Sequence, residues 1–143
     1  MNIDTLSVLT GTQIKDPKNT INQAFTGKDA SSAGYWINTT EVHSICNGVV
    51  ISVERDLNNM WCVTVEVDSK HWVRYCCLSA VRATTGSKIE PKDFIGYSHR
   101  GLMRFEYCTA VRSKFPVRIA MRQLYKADPA PILFGQVNLS EVT

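Results

Sequence analysis

Alternation of apolar and polar residues with a period of two constrains this chain more than any other feature of its sequence. Residues 62–67 place three valines on one side of an extended backbone, and residues 49–54 alternate in the same way. Polar runs at 56–59 and 68–70 have the composition of hairpin loops between such strands. The pattern predicts a mainly β domain with an antiparallel sheet or sandwich.

Further short strands are expected at residues 71–75, 94–97, 102–108 and 117–121. Pro91 predicts a turn before the second of these, because proline has no amide hydrogen for a central ladder. In the strand expected at 102–108, residues 103, 105 and 107 should face the core, and residues 102, 104 and 106 should face the opposite side.

The chain has 143 residues, which is the size of one domain with a short extension. We expect an extended N-terminal arm at 1–31, a β-domain at 32–134 and a polar tail at 135–143. Asp16 and Pro17 predict a short helix in the arm, because aspartate caps helices and proline favours the first helical position. Arms of this composition commonly order only on a partner.

Charge and hydropathy exclude several classes of partner. The net charge is +3, and the basic residues are scattered, so no nucleic-acid partner is expected. No apolar run approaches the roughly 18 residues of a membrane span and no signal peptide is evident, so no membrane partner is expected either. The five cysteines include no CxxC pair, which favours reduced, buried thiols in a protein made in a cytoplasm; a redox role for Cys76 and Cys77 is the alternative.

Six short segments follow one another in an order known from a family of enzymes. They are 33–37, 42–50, 75–79, 85–96, 102–106 and 128–133. Together, over about residues 32–134, they resemble the LytM-type (M23, lysostaphin-like) peptidase domain, with its Tyr-x-His-Leu-Ser and His-Leu-His-Phe-Glu motifs. The resemblance implies the antiparallel β fold of that family.

The resemblance also implies where the family's catalytic site would lie. Its members hold Zn²⁺ with a histidine, an aspartate and a second histidine, and further histidines assist the reaction. The ligand positions correspond to Ser32, Trp36 and Arg104, and the assisting positions to Cys77 and Leu102. A hydroxyl, an indole, a guanidinium and an alkyl chain cannot make this site, and Arg104 puts a positive charge where the cation would sit. We therefore expect no metal, no other cofactor and no catalytic residue.

The whole chain contains only three histidines, His43, His71 and His99. A metal site rebuilt from them with Cys77 is one alternative. A glycan-stacking surface is another, made by tryptophans and tyrosines: Trp36, Trp61, Trp72, Tyr35, Tyr75 and Tyr97. Arg104 and Glu106, two residues apart on one strand, are expected to pair across the former groove. Four residues are expected to line that groove: Tyr75, His99, Arg104 and Glu106.

These observations lead to a functional hypothesis. We expect a non-catalytic structural or assembly protein on an inactivated M23 peptidase fold, of the kind used in bacteriophage tails and baseplate hubs, and not an enzyme. Its expected partners are other virion structural proteins in an oligomeric assembly, and its expected location is the virion, after synthesis in the bacterial host cytoplasm. The alternatives are a peptidoglycan-binding or regulatory pseudo-peptidase, with weak contact to peptidoglycan, and an active zinc endopeptidase.

Overall fold

One antiparallel sheet dominates the structure, a computed structural model that describes residues 4–14, 16–23, 34–110 and 124–127. Two short helices precede all ten of its described strands. In chain order the elements are α1 (Asp4–Thr10), α2 (Pro17–Thr20), β1 (Ile21–Gln23), β2 (Tyr35–Asn38), β3 (Glu41–His43), β4 (Gly48–Arg55), β5 (Trp61–Asp68), β6 (His71–Val81), β7 (Lys88–Ile89), β8 (Phe94–Ser98), β9 (Leu102–Ala110) and β10 (Leu124–Ala127). This architecture confirms the predicted mainly β, antiparallel class.

The sheet runs in the order β1-β2-β9-β6-β5-β4-β7, and β10 adds to β9. Strand β6 has two partners on one of its sides: residues 71–76 pair with β9, and residues 78–81 pair with β8. Strand β8 in turn pairs with β3. The change of partner occurs at Cys77, whose φ of 65° bends the strand. Neither described helix is long and apolar enough to cross a lipid bilayer.

The expected hairpins are present, and side chains explain their geometry. Between β4 and β5 the Asp56 carboxylate accepts hydrogen bonds from the amides of Asn58 (2.8 Å) and Met60 (3.1 Å). Between β5 and β6 the Asp68 carboxylate accepts one from the amide of Lys70 at 2.7 Å. The strand predicted at 117–121 lies outside the described residues.

The apolar face of the sheet carries the hydrophobic core. Each central strand contributes fully buried side chains to this face, including Ile37, Val63, Tyr75 and Phe105. Alternation in the sequence places these residues on one side, and burial of their apolar surface stabilises the pairing register. The opposite side of the same strands carries polar residues and positions the candidate site.

Helix α1 completes this core. Leu6 and Leu9 lie three positions apart, so they share one helix face, and both are fully buried in the main hydrophobic cluster. The helix expected after Asp16 is a single turn that ends at Thr20 and leads into β1. The predicted domain boundaries at 31/32 and 134/135 fall outside the described residues and stay predictions.

Replacing Gly96 with alanine is expected to lower the free energy of unfolding by about 2 kcal/mol. A Cβ atom there would overlap the carbonyl oxygen of Ala80 and lie 3.1 Å from the Cα of Val81, so β8 could no longer approach β6. Gly86→Ala is the matched control, because its Cβ would meet nothing within 4 Å and only its φ of +89° opposes the change. We expect about 1 kcal/mol for the control in urea denaturation. Equal losses would contradict the steric explanation.

Candidate functional site

Two rows of side chains cross the polar side of β2, β9, β6 and β5, which we call the polar face. In the first row Trp36 pairs with Arg104, and Arg104 pairs with Cys76. In the second row Glu106 pairs with Arg74, and Arg74 pairs with Thr64. Cross-strand partners on one face lie within contact distance, so the register brings residues from four strands together.

Glu106 is the centre of an ion cluster with two arginines. Its Oε1 accepts a hydrogen bond from Nη1 of Arg74 at 2.9 Å, and its Oε2 lies 2.8 Å from Nε of Arg104. The contact with Arg104 is an ion pair without hydrogen-bond geometry. Arg74 also donates from Nε to the Thr64 hydroxyl at 3.3 Å. The pairing of Arg104 with Glu106 that alternation suggests is thus present in the structure.

The carboxylate of this cluster is more deeply buried than its partners. Glu106 has no exposed side-chain surface, whereas 25% of Arg74 and 19% of Arg104 stays exposed. Gly34 packs against the cluster, since a Cβ there would lie 2.9 Å from Cγ of Glu106 and 3.1 Å from Cγ of Arg104. A residue with a side chain at position 34 would therefore displace the ion pair.

Electrostatic effects keep both guanidinium groups charged. Burial acts to lower the pKa of Arg104, but the negative charge of Glu106 and the neighbouring thiols Cys76 and Cys62 together outweigh burial, and the pKa lies above the usual value. Burial likewise acts to lower the pKa of Arg74, but the Cys76 thiol, the Glu106 carboxylate and two further thiols together leave that pKa raised. The guanidinium carbon of Arg104 also lies 5.4 Å from the ring centroid of Trp36, within cation–π distance.

Three thiols border the cluster. A hydrogen bond from the Cys76 thiol lowers the pKa of Cys62 to about 7 despite burial, with help from the charge of Arg74. The pKa of Cys76 is raised by the same hydrogen bond and by burial. Burial raises the pKa of the partly exposed Cys77, and the charge of Arg104 opposes that rise.

The residues at the family's ligand positions do not fit Zn²⁺. The indole of Trp36 offers only an N–H donor, and Arg104 offers a permanent cation, whereas Zn²⁺ binds neutral imidazole, thiolate or carboxylate. Within the described ranges no group of three or more histidine, cysteine, aspartate or glutamate side chains could hold a metal ion.

The other predicted site residues are spread over the fold. Tyr75 lies on the core side, fully buried, and its hydroxyl accepts a hydrogen bond from the amide of Ile45 at 3.1 Å, so it does not line the polar face. His99 lies in the β8–β9 turn, where its amide donates to the carbonyl of Cys77 at 2.9 Å. Leu102 is half-buried at the start of β9, and Ser32 lies outside the described residues.

The remaining histidines are remote from one another. Nδ1 of His43 lies 3.0 Å from the carbonyl of Lys92 and borders a cavity of about 620 Å³ beside α1. His71 pairs with Asp68 at 2.8 Å in the β5–β6 hairpin. The alternative of a metal site rebuilt from His43, His71, His99 and Cys77 therefore has no support in the described part of the chain.

Arg74 is the member of the cluster that the sequence analysis missed. It is a charged residue within the otherwise apolar run at 72–76 of β6, and that interruption is the signal that could have drawn attention to it. Its pairing with Glu106 depends on the β6–β9 register, which joins residues far apart in sequence.

Comparison with solved structures shows the LytM/M23 peptidase fold. The catalytic domain of the antimicrobial peptidase lysostaphin from Staphylococcus simulans gives a TM-score of 0.58 at 17% identity, with 81% of this chain and 93% of that chain covered. LytU gives 0.62 at 15% identity, covering 85% and 88%. The catalytic domain of the prophage-encoded M23 protein EnpA from Enterococcus faecalis gives 0.55 at 17%, covering 64% and 82%.

The match to lysostaphin concerns one part of that protein, since the chain spans 49% of lysostaphin's solution structure. No family model matches the sequence, and no curated protein sequence matches it either. At 15–17% identity the three likenesses above establish the fold. They confirm the resemblance to LytM-type domains that the sequence motifs indicate.

The same comparisons correct the functional hypothesis. The prediction of a non-catalytic structural protein, and not an enzyme, is wrong, because the structures that share the fold are M23 peptidases. A role in a virion, tail or baseplate has no support from them. The predicted partners and location are untested and stay predictions.

Proposed function

We propose that this chain binds peptides of the bacterial cell wall on its polar face. The observation that carries the proposal is a shared arrangement: the fold is that of peptidases, and the positions matched to the family's site, Trp36 and Arg104, pair with each other on the side of the sheet away from the core. A peptide laid there would meet an aromatic ring and two guanidinium groups rather than an apolar surface.

The chemistry of the polar face suits a peptide. Guanidinium groups donate hydrogen bonds to carbonyl and carboxylate oxygens, which a peptide supplies at every residue and at its end. The half-buried Trp36 ring offers apolar surface for a side chain of the ligand. The ion cluster below holds Arg104 in place, so little conformational freedom is lost on binding.

Cosedimentation with purified peptidoglycan, followed by calorimetry with synthetic cell-wall peptides, tests this function. We expect retention of the chain, and Trp36→Ala is expected to weaken binding by about tenfold because the ring is lost. Trp61→Ala is the matched control: Trp61 also stacks with an arginine, Arg55 at 4.6 Å, but on the opposite side of the sheet. Chromatography of the same incubations, with and without added zinc, shows separately whether peptide is cleaved.

Two results would contradict the proposal. The first is no retention on peptidoglycan together with no heat of binding for any peptide. The second is an equal loss of binding for Trp36→Ala and Trp61→Ala when circular dichroism shows both variants folded, because the ligand would then not lie on the polar face.

A further inference from the structure

We propose that Arg104 is a carboxylate-binding residue that recognises the terminal carboxylate of the peptide ligand. This inference rests on the proposed function and names the chemical group that the polar face selects. It follows from the charges, burial and orientation of three side chains: Arg74, Arg104 and Glu106.

The charges of the cluster do not balance. Two guanidinium groups surround one carboxylate, and within the described part of the chain no other carboxylate lies within 4 Å of either arginine. A second anion would neutralise the excess positive charge. Cys62 is not an accessible second anion, because its side chain is buried and the Cys76 thiol is its first partner.

Burial determines which charge a ligand meets. Glu106 has no exposed surface, while Arg104 keeps 19% and Arg74 keeps 25% of their side-chain surface exposed. The carboxylate therefore acts from below the sheet surface, and the surface itself presents positive charge. An anionic group can approach this surface without meeting the carboxylate, and partial desolvation strengthens its attraction to the guanidinium.

The orientation of Arg104 suits a carboxylate. Glu106 contacts the Nε atom, the Cys76 thiol shares a hydrogen bond with the side chain, and the Trp36 ring lies alongside the guanidinium carbon, so three contacts fix the group. The planar fork of donors on a guanidinium matches the two oxygens of a carboxylate better than the single oxygen of a peptide carbonyl. Specificity for an acid over the corresponding amide follows.

Titration of the full chain with N-acetylalanine and with N-acetylalanine amide tests the site, with the ¹H–¹⁵N signals of arginine Nε as the readout. We expect saturable shifts of the Arg104 signal with the acid and affinity at least about tenfold weaker for the amide. Arg104→Gln should abolish the preference for the acid. The matched control is Arg55→Gln, which removes an arginine stacked on Trp61 at the other side of the sheet and should leave the preference unchanged.

Arg104→Lys keeps the positive charge without the fork of donors, and it replaces Arg104→Gln as the test variant if that variant does not fold. The lysine variant should bind the acid several-fold more weakly than the wild-type chain. The longer cell-wall peptides are then compared as acids and as amides. Equal affinity for the two forms overturns the carboxylate site and leaves the proposed function standing. Absence of binding for both forms overturns both proposals, and a preference for the acid that survives in Arg104→Gln overturns the assignment to this residue.

Discussion

Glu106→Gln is expected to lower the free energy of unfolding by about 4 kcal/mol, the largest effect of any single substitution proposed for this chain. Glutamine has the shape of glutamate, so packing against Gly34 is preserved, while the charge is lost and an NH2 donor replaces one of the two acceptor oxygens. Arg74 and Arg104 would then remain as two partly buried cations without their common counter-ion. Removal of one partner from a buried ion pair is costly because the remaining charge stays desolvated.

Urea denaturation measures this loss, with Glu54→Gln as the control. Glu54 is exposed on β4, so the control should change the unfolding free energy by less than about 0.5 kcal/mol. The double variant Glu106→Gln/Arg104→Gln should recover part of the loss, since it removes one of the two uncompensated cations. Similar stability of Glu106→Gln and Glu54→Gln would show that the cluster does not stabilise the fold.

Leu9→Ala is expected to lower the free energy of unfolding by about 3 kcal/mol, because it removes a fully buried side chain and leaves a cavity between α1 and the sheet. The lower stability should shift the main cooperative unfolding transition, monitored by the fluorescence of the tryptophans in the sheet, to lower denaturant concentration. This result would make α1 part of the folded domain rather than an arm that orders on a partner.

Val8→Ala is the control within the same helix. Val8 is only half-buried and borders the cavity beside α1, so its truncation should cost less than about 1 kcal/mol. If Leu9→Ala leaves the transition unchanged while the helical signal is lost, α1 folds and unfolds independently of the sheet.

Much of the sheet could be predicted because burial of one face leaves a period of two in the sequence. Strands β4, β5, β8 and β9 were expected close to their observed bounds, whereas β6 extends six residues beyond the predicted 71–75, to Val81. Its later residues pair with β8 after the bend at Cys77, and such a change of partner leaves no local pattern. Helix α1 was missed because two leucines in seven residues are too few for a helical period.

The candidate site was predictable only along a single strand. Alternation placed Arg104 and Glu106 on one side of β9, and the structure shows their ion pair. The contribution of Arg74 and the inward direction of Tyr75 depend on the register of β6 against β9, and a shift by one residue would exchange their faces. The register is set by the whole sheet, so the pattern of a single strand could not show which of the two faces Arg74 and Tyr75 occupy.

The central position of β9 has a consequence for how the chain acquires its structure. Strand β9 joins β2, which begins at Tyr35, to β6, and the β2–β9 pairing brings Tyr35 opposite Phe105. The chain between these two residues forms a long loop, and this loop must close before the pairing yields any stabilisation. The loss of chain entropy therefore comes early, and folding is expected on the millisecond-to-second scale of β-rich domains. The cluster around Glu106 needs β2, β9, β6 and β5 in register, so it would assemble among the last contacts of the folding reaction.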